Sequence, residues 1–268
     1  QQRTNTMILL HLNKRLLQWV QKLDAMILVL VVVEKNTKLV MEKMPLNKYI
    51  DHTILKPTCL VEDIHKVCEE AKMYAFAAVC VPPNFVKLAK ELTAGSDVKV
   101  ATVIGFPFGY SATEAKIAEI ILAMVDGADE LDVVANISAI KNGDWMAIAD
   151  EINHIMPVIR SKGKTIKIII ESGVLTDDEI IKCCDIYGIA GIDYLKTSTG
   201  YAEKGASIEA VKLFRKYLPE NVQIKASGGI RDYTTTKLMI EAGATRIGCS
   251  AGVAIVTGAQ VDQTKSNY

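Results

Sequence analysis

From Leu46 onward the chain alternates short apolar runs with longer segments whose apolar residues recur at helical spacing. Eight runs read as strands: residues 49–55, 76–81, 98–104, 130–135, 165–170, 193–196, 222–226 and 246–249. Between them the spacing predicts helices over residues 112–126, 145–161, 177–187, 208–217 and 233–242. Thr113, Thr176 with Glu179 three positions on, Ser207 and Asp232 stand where a side chain can accept from a free helical N–H. Gly127, Gly163, Gly188 and Gly243 supply stops.

Strands joined by helix-length crossovers must pair in parallel, with right-handed connections. Eight such units close a (β/α)8 barrel. The alternative is an open doubly wound sheet, which usually carries a Gly-rich turn after its first strand. Here Lys56-Pro57-Thr58 stands at that place. The expected class is therefore α/β, a (β/α)8 TIM barrel over residues 46–258 with an extra N-terminal helical segment and a short tail, 259–268.

The N-terminal segment, residues 1–45, is read separately. Leu9, Leu10, Leu12, Leu16, Leu17, Val20 and Leu23 form an apolar stripe, with Asn13, Lys14, Arg15 and Lys22 on the polar side. The apolar run 26–33 is bounded by Asp24 and Glu34 and is too short to span a bilayer. Glu34-Lys35-Asn36 does not resemble a signal-peptide cleavage site. A docked accessory helix or a non-native extension is favoured over a membrane-surface helix.

Composition narrows the partners. Thirty-one basic and 31 acidic residues give a net charge of zero, so nothing attracts nucleic acid or an anionic membrane in general. Any anion must be recognised locally. The six cysteines form no C-x-x-C pair and no metal-ligand spacing, which reads as reduced thiols in a cytoplasmic protein. No histidine pair suggests zinc, and a mechanism without metal is expected.

In a barrel the chemistry gathers at the carboxyl ends of the strands. Asp51, Asp132, Glu171, Lys196 and Lys225 all fall there. Lys196 and Lys225 each close an apolar run and precede a loop of hydroxyls and glycines. A lysine usually snorkels into solvent. At the end of a buried strand its pKa should instead fall, further still beside a second cation, and a neutral amine can attack a carbonyl to form a Schiff base. Strands six and seven are neighbours, so the two lysines are expected to meet. Alternation places Glu130 and Asp132 on one face, where Asp132 is either half of a structural ion pair or a proton carrier. Asp51 reads similarly, or as the group that holds Lys225 or Lys56. Thr199-Gly200, Ser227-Gly228-Gly229 and the stretch from Gly248 through Ser250 to Gly252 read as phosphate-cradling turns, with Arg231 either an auxiliary anchor or only a surface charge.

Taken in order, Asp51-His-Thr-Ile-Leu-Lys-Pro57, Gly127-Ala-Asp-Glu-Leu-Asp-Val-Val134, Lys167-Ile-Ile-Ile-Glu-Ser-Gly173, Leu195-Lys-Thr-Ser-Thr-Gly200, Lys225-Ala-Ser-Gly-Gly-Ile-Arg231 and Arg246-Ile-Gly-Cys-Ser-Ala-Gly252 resemble the deoxyribose-phosphate aldolase family. The resemblance implies a dimeric (β/α)8 barrel of the cytoplasm that needs no metal or organic cofactor. It implies reversible cleavage of 2-deoxy-D-ribose 5-phosphate to D-glyceraldehyde 3-phosphate and acetaldehyde, in deoxyribonucleoside breakdown. By the same resemblance Lys196 forms the Schiff base, Asp132 transfers protons and Lys225 perturbs the pKa of Lys196. Gly200, Gly228, Gly229, Gly248 and Ser250 would contact phosphate, and Tyr268 would assist proton transfer from the tail. Cys249 stands where the family often has alanine or threonine, which would make the site oxidation-sensitive. The rival readings are another Schiff-base sugar-phosphate aldolase and a catalytically silent phosphate-ligand-binding barrel.

Overall fold

Each apolar run forms a strand: β1 (Ile50–Thr53), β2 (Ala78–Val81), β3 (Lys99–Ile104), β4 (Glu130–Val134), β5 (Thr165–Ile169), β6 (Tyr194–Lys196), β7 (Gln223–Ser227) and β8 (Arg246–Cys249). In the computed structural model, which describes residues 46–259, these strands pair in chain order and all in parallel. β8 returns to β1 and closes the barrel. The expected (β/α)8 architecture is thus the one formed. The N-terminal segment and the tail with Tyr268 lie outside the described residues.

The connecting helices are α1 (Val61–Met73), α2 (Val86–Leu92), α3 (Thr113–Val125), α4 (Ile137–Lys141), α5 (Trp145–Arg160), α6 (Asp177–Ala190), α7 (Ile208–Tyr217), α8 (Tyr233–Glu241) and α9 (Gly252–Thr257). Thr176 and Glu179 make the expected reciprocal cap on α6, and Ser207 and Asp232 accept from the Ala210 and Thr235 amides. Two expectations fail. Ala112, not Thr113, takes the cap position of α3, and Thr113 is the first helical residue. Gly188 does not end α6, which runs to Ala190 and stops at Gly191 in the left-handed region. A Cβ at Gly188 would lie 2.8 Å from Pro219 Cδ, so close packing explains that glycine. Among the described residues no helix is long and apolar enough to cross a membrane.

The strands look apolar because their outer faces are buried under the helices. Val79, Val81, Leu131, Val133, Ile166, Ile168, Leu195, Ile224 and Ile247 pack there with Phe76, Ile120, Ile152, Tyr187 and Phe214. Each such side chain contributes about 1.5–3 kcal/mol on burial. The barrel interior is divided differently. On the β2–β3 side it holds a small apolar group of Leu55, Ala78, Cys80, Ala101 and Val103, capped by Phe106. The remaining interior is charged. One further ion pair lies outside the barrel wall, where buried Lys116 of α3 donates to the Val134 carbonyl and to Glu151, each within 2.8 Å.

Candidate active site

Strand register assembles the charged interior. Asp132 on β4 stands opposite Lys167 on β5, Lys196 on β6 opposite Lys225 on β7, and Lys225 opposite Arg246 on β8. Alternation carries Glu130 to the same face as Asp132. Oδ2 of Asp132 accepts from both Lys196 Nζ and Lys225 Nζ, at 2.7 Å each. Its Oδ1 accepts from Lys167 Nζ at 2.7 Å. Lys225 Nζ also lies 2.5 Å from Asp51 Oδ2, whose other oxygen accepts from Arg246 at 2.6 Å. Arg246 completes the ring by donating to both oxygens of Glu130, and Lys167 lies 2.5 Å from Glu130.

The charges can be counted. Asp51, Glu130 and Asp132 are three buried carboxylates, and Lys167, Lys225 and Arg246 are three cations. Lys196 is the remaining ionisable group of the ring, and protonating it would leave a net positive charge in an interior with little solvent. Burial pushes the pKa of Lys196 down; Asp132 opposes that, and the Lys225 ammonium reinforces it, leaving the value below the ordinary lysine range. The sequence led us to expect both lysines to fall, and here the structure differs. Burial alone would lower Lys225 too, but Asp132 and Asp51 together hold it well above the usual range, so it stays an ammonium. Burial acts to raise Asp132, yet Lys167, Lys196 and Lys225 hold its carboxyl well below the usual range.

Asp51 therefore joins the cluster through Lys225 and Arg246 and has no contact with Lys56, which pairs with Asp63 at 2.9 Å. The sequence passed over Lys167 and Arg246 as members of this ring. Lys167 left a signal, since a lysine between Ile166 and Ile168 on a strand buried on both faces invites the argument made for Lys196.

Above the ring, the loops after β5, β6 and β7 interlock. Glu171 has a φ of 53° and accepts from the Thr199 amide and hydroxyl. Burial pushes its carboxyl upward. Gly228 and Gly229 have φ of 91° and 82°, a region that favours glycine. The Gly228 carbonyl accepts from the Ala206 amide, and a Cβ on Gly228 would lie 3.1 Å from Gly205 Cα. Bare backbone from the two loops meets there, with Gly229 exposed beside it. Gly200 and Ser250 lie in the loops after β6 and β8. Gly248 lies inside β8 instead, where a Cβ would come 2.9 Å from Ser227 Cβ and 3.0 Å from Lys225 Cε. Its missing side chain makes room for Lys225. Cys249 is buried, and burial chiefly pushes its thiol up to about 12.

A buried amine of lowered basicity, bonded to an ionised carboxylate and a permanent ammonium, suits carbonyl addition followed by proton transfer. A protein-family model described as DeoC/LacD family aldolase matches residues 46–258. The chain is 51% identical over 219 residues to a deoxyribose-phosphate aldolase of Thermococcus gammatolerans, covering 81% of this chain and 97% of the relative. A solved aldolase designated QR15 superposes with a TM-score of 0.76 at 40% identity, over 80% of this chain and 96% of that one. A tetrameric deoxyribose phosphate aldolase from Aeropyrum pernix superposes with a TM-score of 0.73 at 33% identity, over 80% and 90% of the two chains. With the match running through every strand of the barrel, the chain belongs to the DeoC/LacD family of aldolases.

Proposed function

We propose that this protein is a deoxyribose-phosphate aldolase, a class I enzyme that reversibly cleaves 2-deoxy-D-ribose 5-phosphate through a Schiff base on Lys196. The observation that carries the reading is the ring of three carboxylates and three cations in which Lys196 is the one lysine of lowered pKa. The half-identity to aldolases of that name supports the choice of substrate.

The neutral Lys196 amine adds to the C1 aldehyde, and loss of water from the carbinolamine leaves a protonated imine. That cation draws the electrons of the C2–C3 bond as the C3 hydroxyl gives up its proton to Asp132 through water. Glyceraldehyde 3-phosphate departs with its new carbonyl at C3. The enamine left on Lys196 is protonated at C2, and hydrolysis of the imine releases acetaldehyde and restores the amine. Lys167 and Lys225 favour the ionised form of Asp132, so the carboxylate stands ready to accept that proton. Lys225 disfavours a charge on Lys196, and the remote phosphate seats at the bare backbone of Gly200, Gly228 and Gly229 and at Ser250. The barrel over 46–258 is the catalytic unit, acting in the cytoplasm as a homodimer on a small phosphorylated sugar and acetaldehyde.

The experiment is to incubate the purified protein with 2-deoxyribose 5-phosphate and follow acetaldehyde and glyceraldehyde 3-phosphate, with other sugar phosphates in parallel. Release of both products from deoxyribose 5-phosphate is the expected result. Turnover of a different sugar phosphate alone would favour another Schiff-base aldolase, and no turnover of any would leave a phosphate-binding barrel.

A further inference from the structure

Asp132 has two carboxylate oxygens and three lysines on them, and the division is uneven. Lys196 and Lys225 share Oδ2, whereas Lys167 holds Oδ1 by itself. Lys167 is fully buried, faces Asp132 across the β4–β5 ladder, and also lies 2.5 Å from Glu130 and 3.6 Å from Asp51. We propose, building on the Schiff-base reading above, that Lys167 is a positioning residue of the aldolase reaction. It clamps Oδ1 and matches the charge of Glu130, so that Oδ2 is kept for Lys196 and Lys225 and the ring is neutral while Lys196 is an amine.

The argument is one of charge and geometry. Around Lys196 and its partner carboxylate stand Asp51 on β1, Cys80 on β2, Glu130 and Asp132 on β4, Lys167 and Glu171 from β5 and its end, Lys225 on β7 and Arg246 on β8. Without Lys167, three ring carboxylates would face two cations, and the ring would take up a proton. The Lys196 amine is the most basic uncharged group within reach, so it would take that proton and lose its nucleophilic lone pair. Oδ1 of Asp132 would also lose its bond, freeing the carboxylate to rotate. Removing Glu130 should act in the opposite sense. A glutamine there can still accept from Arg246 while cancelling the missing lysine charge.

The test is the pH dependence of borohydride trapping of acetaldehyde, by mass spectrometry, on the full-length protein and on Lys167→Met, Glu130→Gln and the double variant. The midpoint for adduct formation should rise by about one pH unit or more in Lys167→Met and fall in Glu130→Gln. In the double variant it should return to within about half a unit of wild type, because the two charges offset. A lysine that served only packing would make the double variant worse, not restored. An unmoved midpoint in folded Lys167→Met, or a double variant as displaced as the single, would overturn the proposal. If Lys167→Met does not fold, an unshifted Glu130→Gln overturns it instead. No adduct in wild type at any pH would mean that the Schiff-base reading itself has failed.

Discussion

Lys196 and Lys225 are register partners in the β6–β7 ladder, and their side-chain nitrogens converge on one oxygen of Asp132. Neighbouring positions of equal chemistry end with opposite properties. Lys225 sits between two carboxylates and stays charged, whereas Lys196 shares one carboxylate with a permanent cation and loses basicity.

Lys225→Leu removes that cation. With it gone, the protonated form of Lys196 is favoured and its pKa rises, so the acid limb of the activity profile moves to higher pH. The expected shift is about one unit or more, together with a fall in kcat at neutral pH. A pH–rate profile measures both, and an unmoved limb would restrict Lys225 to a structural role.

Asp132→Asn works in the other direction on charge. Losing a carboxylate disfavours the ammonium form of Lys196, so imine trapping with acetaldehyde should extend to equal or lower pH. Cleavage of the phosphorylated sugar should drop by about 10²–10⁴-fold, because the proton carrier is gone. Cleavage near the wild-type rate would remove Asp132 from the proton path.

The two glycine-rich roles can be separated. Gly248→Ala places a methyl against Lys225 Cε and Ser227 Cβ, so kcat should fall about tenfold or more while KM for the phosphorylated sugar changes little. A raised KM at constant kcat would return Gly248 to the phosphate site, where its sequence motif placed it.

The sequence showed the barrel almost completely, because parallel strands buried on their outer faces leave apolar runs and helical crossovers leave periodic ones. All eight strands form within a few residues of the expected limits. What it hid was arrangement across strands. Lys167 and Arg246 enter the ring through register with Asp132 and Lys225, a relation that no local spacing reveals. Asp51 was legible as a group that could hold Lys225, but the sharing of one Asp132 oxygen by both lysines was not. Gly188 and Gly248 read as a helix stop and a loop glycine, but both answer to a side chain pressed against them, Pro219 and Lys225. Tyr268 and the amphipathic N-terminal stripe fall outside the described residues.

Lys116 offers a stability test independent of catalysis. It is fully buried against Glu151 and the Val134 carbonyl, behind the end of β4. Lys116→Met leaves the carboxylate unpaired and should cost about 3–5 kcal/mol in urea unfolding. The double change with Glu151→Leu should recover much of that loss. A single variant as stable as wild type would show that the pair does not hold β4 in place.

The central claim is that Lys196 is the nucleophile, and trapping tests it most directly. Acetaldehyde and borohydride added to the wild-type protein should leave an ethyl group on the peptide that contains Lys196, with Lys167 and Lys225 unmodified. Lys196→Arg should abolish the adduct. An adduct on another lysine, or one undiminished in Lys196→Arg, would contradict the account.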